Sequence, residues 1–251
     1  CKNINKNITI YNLLTHSSGL IDIGSAEALK STAKLDYNSQ IENLAKEALL
    51  FEPGTKCLYT NSNFFILSLL VEYYSGETLE NYLLKKVCAP LGMNTVEIET
   101  NHKIIDNLAV GYEMVDGKIV PGGFVNMDLM FGAGYSVGKI DDVYKLSLAV
   151  RERKLLKRET WDMILTPCSV GEYGLGCNVY KYNESPCCHH SGGYTGFRNL
   201  HRYFFEKDFA IGFLSNCGFG SARADVSKEI YERYFNLVDN MTYVEMDKGF
   251  V

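Results

Sequence analysis

The chain has no excess of positive charge: 25 Lys and Arg stand against 30 Asp and Glu, a formal net charge of −5 over 251 residues. Binding a phosphate backbone needs a basic face, so no nucleic-acid partner is expected. Long apolar runs are also missing. The longest, Phe64 to Val71, is interrupted by Ser68 and is far too short to cross a bilayer. No apolar leader opens the chain: Cys1-Lys2-Asn3-Ile4-Asn5-Lys6 is polar and reads as a start in mid-sequence. There is no internal repeat and no low-complexity linker. The eight cysteines lack the regular spacing of a disulfide framework, and a chain of this length does not need one. Cys57, Cys177 and Cys217 fall in apolar or strand-like runs, where cysteine acts as a small hydrophobe, so free thiols and a reducing setting are expected.

What is present changes period half-way along. Apolar residues recur at helical spacing in Ile8–His16, Ser39–Leu50, Ser62–Tyr74 and Asp141–Arg151, and a further helix starting near Thr78 must end before Pro90. Beyond residue 166 the pattern becomes strand-like: Tyr173–Tyr182, Phe197–Phe205 and Phe209–Ser215, the last two joined by a tight turn at Glu206-Lys207-Asp208. The near-continuous apolarity of Phe209–Ser215 predicts a central strand buried on both faces. Ser221–Val238 reads as an amphipathic helix with Val226, Ile230, Tyr234 and Leu237 on one stripe. The layout is α+β: a mainly helical lobe over about residues 8–165, then an antiparallel sheet lobe with a C-terminal helix over 166–251.

Two stretches carry groups suited to chemistry. In Phe51-Glu52-Pro53-Gly54-Thr55-Lys56-Cys57-Leu58-Tyr59-Thr60-Asn61, a turn feeds an extended piece into a helix start. Tyr59 and Asn61 are two apart and face the same way, so a phenol and a carboxamide can enter one cleft to relay a proton and grip an amide. The alternative is that Tyr59 is core and Asn61 only caps the helix. The second stretch is Cys187-Cys188-His189-His190-Ser191-Gly192-Gly193. Neighbours on a strand point to opposite faces, so four consecutive residues cannot close one tetrahedron, and no metal site is expected. Either it is an edge strand whose His190 and Ser191 look into a cleft, with Gly192 and Gly193 letting backbone N–H groups approach a carbonyl, or it is a glycine-rich hairpin with one exposed histidine.

Five segments in order resemble the serine β-lactamase, penicillin-binding protein and D-Ala-D-Ala peptidase superfamily, which includes esterases. They are Ile8-Thr9-Ile10-Tyr11-Asn12-Leu13-Leu14-Thr15-His16-Ser17-Ser18-Gly19-Leu20; Phe51-Glu52-Pro53-Gly54-Thr55 to Tyr59-Thr60-Asn61 with its sequel Pro90-Leu91-Gly92-Met93; Gly132-Ala133-Gly134; Tyr173-Gly174-Leu175-Gly176; and His190-Ser191-Gly192-Gly193. The resemblance implies acyl transfer through a serine ester on a small peptide, amide, lactam or ester, without a cofactor. It casts Tyr59 as assisting base and Asn61 as the group orienting substrate and base. His190 stands where many members have lysine and would maintain the field around Tyr59. Ser191 would contact a substrate carboxylate or amide, and the Gly193 N–H would form half of an oxyanion hole. Histidine in the lysine position is similar to the peptidase, aminopeptidase and esterase branches, which weakens the case for β-lactam hydrolysis.

The nucleophile of that family is the serine of a Ser-x-x-Lys helix turn that precedes the Leu-Leu-Thr-His segment, and here no room is left for it. The chain is therefore expected to be a fragment, inactive alone, with the motif encoded upstream of Cys1. An apolar trough between the lobes and an unpaired sheet edge are expected too, open to self-association or to a rearranged segment. A non-catalytic peptide- or lactam-binding relative is the second reading. Ser31-Thr32-Ala33-Lys34 has the motif's letters in a polar stretch beyond the Thr15-His16 segment, and Ser136-Val137-Gly138-Lys139 carries a glycine inside the turn. Gly134-Tyr135-Ser136-Val137-Gly138 also fits the nucleophile elbow of an α/β-hydrolase, with His190 or His201 downstream, a third reading that requires a buried strand just before it and alternating strand–helix units upstream, where the spacing here is helical.

Overall fold

A computed structural model of the chain describes residues 4–23, 30–182, 184–219, 229–230 and 232–234. Most of the amphipathic stretch Ser221–Val238, and everything after it, lies outside the described residues. The first stretch of chain is helical: α1 (Ile10–Leu14), α2 (Tyr37–Lys46), α3 (Asn61–Ser75), α4 (Leu79–Leu83), α5 (Ile140–Arg151) and α6 (Arg158–Ile164). The α-helical hydrogen bonding of α4 ends at Leu83, well before Pro90, but the helical path continues as a π-type turn over Leu84–Cys88 and a 3-10 turn over Ala89–Leu91 that takes in Pro90 itself. α3 starts from Thr60, whose hydroxyl accepts from the Ser62 N–H, and stops at left-handed Gly76, whose N–H reaches the Glu72 carbonyl. Its inward side buries Phe65 and Ile66 against Leu13, Leu20, Leu44, Leu79, Ile98, Leu129 and Phe131, the main core.

Short strands interrupt this helical stretch. β1 (Glu97–Ile98) pairs with β4 (Ser136–Val137), and β2 (Tyr112–Val115) with β3 (Lys118–Pro121). The turn between β2 and β3 is Asp116-Gly117, both at positive φ (49° and 73°), the two-residue geometry that Asp-Gly favours.

The main sheet has the order β5 (Asn178–Tyr182), β6 (Ser185–Tyr194), β7 (Phe197–Phe204), β8 (Phe209–Ser215), all antiparallel. Its two faces alternate along the strands. One presents Cys188, His190, Tyr203 and Ala210 towards the helices, with Val150 of α5 and Leu165 packed on it. The other holds Cys187, Phe204 and Ile211 with Tyr180, Tyr182 and Phe209. The expectation for Phe209–Ser215 needs correcting: among the described residues β8 is the outer strand, and only Ile211 of its seven residues is buried. Unbroken apolarity misled because β8 meets α5 through Gly212, against which Ile140 and Val143 close up, so one face is filled by the neighbour's side chains and not its own.

The Thr15-His16-Ser17-Ser18-Gly19 turn ties the helices together. Gly19 sits at φ 79°, where a Cβ would fall 2.2 Å from the Phe51 carbonyl oxygen. Gly76 has a similar φ of 70° but open space around its Cα. Gly76→Ala should therefore cost about 1 kcal/mol, from backbone strain alone. Gly19→Ala should cost clearly more, over about 2 kcal/mol, because rigid backbone must move. Urea unfolding of the two variants checks this; equal losses would contradict the close packing at Gly19.

Candidate active site

The platform of the site is built from buried polar residues. Thr15, His16, Ser17 and Ser18 are each no more than 1% exposed, so every one of their polar groups calls for a partner. Asn12 donates to the Ser17 hydroxyl (3.1 Å), and Ser18 donates to the Asn63 Oδ1 (2.6 Å). The Leu58 N–H donates to the His16 carbonyl, and the Gly54 N–H to the Ser17 carbonyl, both at 2.8 Å. His16 Nδ1 accepts from the Thr60 N–H (3.2 Å) and lies 3.0 Å from the Asn63 amide nitrogen. A backbone N–H can only donate, so Nδ1 is the acceptor and the proton of the neutral ring sits on Nε2. Burial, then the nearby His190, pushes the His16 pKa down to about 4.

Tyr59 and Asn61 follow from this platform. The Tyr59 ring lies over His16 (centroids 4.3 Å apart), is 48% exposed, and donates its hydroxyl to Asn61 Oδ1 at 3.4 Å. Asn61 is the first residue of α3 and not its cap, which is Thr60. Its amide nitrogen donates to Asp22 Oδ2 (3.2 Å), and its backbone N–H to Asp22 Oδ1 (2.7 Å). Asp22 also accepts from the Thr60 hydroxyl at 3.0 Å. The carboxylate thus orients the carboxamide, taking its N–H end and turning its carbonyl to the phenol. No local pattern announces this residue: Asp22 meets Asn61 across 39 positions of sequence.

The second wall is β6. His190 pairs with His201 on β7 and places its ring centroid 6.1 Å from that of Tyr59, with Tyr173 edge-on to it at 6.4 Å. β5 accompanies β6 only as far as His189, so the stretch from His190 to Tyr194 runs beyond it. Gly193 is required by its surroundings, since a Cβ there would meet the Phe197 carbonyl and the Arg198 side chain at 2.9 Å; at Gly192 nothing lies within 4 Å.

Tyr59, Asn61, His190, Ser191, Gly192 and Gly193 all line one groove of about 1340 Å³. Cys57, Tyr173 and Ser136 line it as well. Around Tyr59 and His190 the site is electrically quiet. Desolvation in the groove lowers the His190 pKa, and burial, with the charge of Asp22 second, raises that of Tyr59. Tyr173 is pushed up by burial too. At pH 7 the imidazole is neutral and the phenol protonated, so His190 acts on Tyr59 as a dipole and not as a full charge.

Neither local match to Ser-x-x-Lys forms a helical turn. Residues 31–34 are irregular, with the Ser31 hydroxyl accepting from the Ala33 N–H, and Ser136 lies in β4 opposite Ile98. An elbow at Ser136 is excluded by the same pairing: the serine is inside a strand, not on the turn that follows one.

A family model described as beta-lactamase matches residues 2–232. The chain belongs to the beta-lactamase family. A protein of Bacillus subtilis strain 168 named as a penicillin-binding protein is 25% identical over 225 residues, covering 90% of this chain and 55% of its own length. A D-aminopeptidase of Brucella anthropi is 27% identical over 155 residues, 59% of this chain and 29% of the relative. The chain therefore spans about half the length, or less, of these curated relatives. Among solved structures, D-amino acid amidase from Ochrobactrum anthropi SV3 superposes with a TM-score of 0.77 at 19% identity, over 92% of this chain and 72% of that one, which shows the shared fold.

A neutral platform has a pH signature. His16 and His201 have pKa values of about 4 in the fold, against an ordinary 6.5. Between those values the unfolded chain takes up protons that the folded chain refuses, so stability is full above pH 6.5 and lost as pH falls towards 4. For fully buried His16 the loss between pH 7 and pH 5 is on the order of 2 kcal/mol. The urea midpoint should fall over that range, and His201→Gln should make the slope shallower. A midpoint that does not move from pH 7 to pH 5 would contradict the neutral, acceptor role of His16.

Proposed function

We propose that this chain is the substrate-facing half of an acyl-transfer serine hydrolase acting on peptide or amide bonds. The observation that carries the reading is the convergence of a phenol, a carboxamide and an imidazole on one groove whose far wall ends in glycines. Tyr59 passes a proton between nucleophile, substrate and leaving group. Asn61, fixed by Asp22, orients the substrate amide. His190 keeps Tyr59 in place by ring contact and polarises the groove. Ser191 holds a carboxylate or amide at the leaving side, and the Gly193 N–H takes the carbonyl oxygen as negative charge develops on it.

The nucleophile in this reading is a serine of a Ser-x-x-Lys turn outside these 251 residues, and the chain alone has no turnover. A protonated lysine brought beside Tyr59 would also place a cation at the phenol itself and lower its pKa. The name of one relative, D-aminopeptidase, favours a peptide or amide of a D-amino acid as substrate, while the name penicillin-binding protein keeps a lactam within reach of the same groove. The binding-only alternative is favoured by the same electrical quiet, since a neutral imidazole and a protonated phenol grip without activating.

Fluorophosphonate labelling separates these readings. The protein translated with its upstream coding sequence should be labelled at a serine preceding Cys1, and the 251-residue chain should not be labelled. Tyr59→Phe in the longer protein should slow labelling by about 10²-fold or more. An adduct on Ser136 or Ser31 overturns the assignment; a longer protein that binds D-peptide but never labels favours the binding-only relative.

A further inference from the structure

A second cavity, of about 300 Å³, opens beside the β6–β7 turn and shares Leu108, Ala109, Tyr194 and Phe197 with the groove as common walls. Its one titratable carboxylate is Glu99, which follows β1. Glu99 is half-buried, and its hydrogen-bond partner among the described residues is a neutral phenol: the Tyr194 hydroxyl donates to Oε2 at 3.3 Å. The nearby Lys103 is engaged elsewhere, by Glu80 (3.1 Å) and Glu97 (3.2 Å), and no described Lys, Arg or His forms an ion pair with Glu99. Desolvation raises the Glu99 pKa, as it must for a carboxylate taken from water with no cation in return. Such a group gains most from a ligand that brings the missing positive charge and N–H donors.

Tyr194 follows Gly193 directly on β6. If the scissile carbonyl sits at the Gly193 N–H and the leaving side at Ser191, the acyl arm of the substrate continues past Gly193 towards Tyr194. Each further extended residue adds about 3.3 Å of reach. We propose that Glu99, held by Tyr194, binds a primary ammonium on the acyl arm of the substrate, so that the enzyme selects short peptides with a free amine over blocked ones. The inference rests on the acyl-transfer reading for the direction of the substrate, but the carboxylate and the cavity stand without it.

Equilibrium binding to the protein translated with its upstream coding sequence tests it, using di-, tri- and tetra-D-alanine, each with a free, an acetylated and a hydroxyl-replaced amino terminus. The free amine should bind at least about tenfold more tightly than both blocked forms at one of the three lengths, a difference typical of one charge-assisted contact. Glu99→Gln should erase that preference, and Tyr194→Phe should reduce it. Thermal unfolding confirms that each variant is folded, and the wild-type preference over the hydroxyl analogue decides for or against the subsite even if one is not. No preference at any length in the wild type, or a preference that survives Glu99→Gln in a folded protein, overturns the proposal. Fluorophosphonate labelling of the same preparation reports separately on acyl transfer: labelling without amine preference sinks the subsite alone, and amine preference without labelling sinks the catalytic reading alone.

Discussion

The arrangement of this molecule depends on one buried acceptor. His16 Nδ1 receives the Thr60 N–H, and through that bond the Thr-His-Ser-Ser-Gly turn is locked to the start of α3. The geometry of Tyr59 and Asn61 follows, because both lie within a residue of Thr60 and have little freedom once it is fixed. A buried imidazole is costly unless it is neutral and hydrogen-bonded. Here it is neutral and its Nδ1 is hydrogen-bonded, while Nε2 is buried with no hydrogen-bond partner among the described residues, and the residue is held at φ 52° in the middle of a turn, a conformation uncommon outside glycine. Asp22 supplies the other constraint, since contacts from residues 23, 60 and 61 converge on its Oδ1 and one from the Asn61 amide reaches Oδ2.

Much of the fold was legible because the sequence obeys local rules. α3 was readable from its apolar spacing and from Gly76, and the period-two reading of Tyr59 and Asn61 found two side chains that do line one groove. That Thr60 is the cap and Asn61 the first helical residue separates the two meanings that the segment left open: the carboxamide is freed from capping. The Asp116-Gly117 turn has a local signal just as strong, an Asp-Gly pair between Val115 and Lys118, but it is set in a lobe whose spacing is otherwise helical. The position of β8 was less accessible. Apolar residues on both faces indicate contact, not sheet neighbours, and which strand takes the centre is decided by pairings far apart in sequence.

The electrostatics of the site were not legible at all. The resemblance cast His190 as maintaining the field around Tyr59 without fixing a charge state, and position makes the imidazole neutral and keeps the phenol protonated. Desolvation depends on how many atoms surround a group, and a string of letters carries no such count. The same holds for Asp22 and Glu99, ordinary acidic residues by sequence, one saturated with donors and the other facing a cavity.

The contrast between Gly192 and Gly193 bears on how members of this family diverge. Position 193 is closed by the backbone at Phe197, so change there is paid for in the hairpin itself. Position 192 is sterically open and lines the same groove. A gene drifting at that codon could therefore hang new side chains over the substrate path while the strand, its register and the machinery beneath stay as they are. It is a natural entry point for evolving new selectivity.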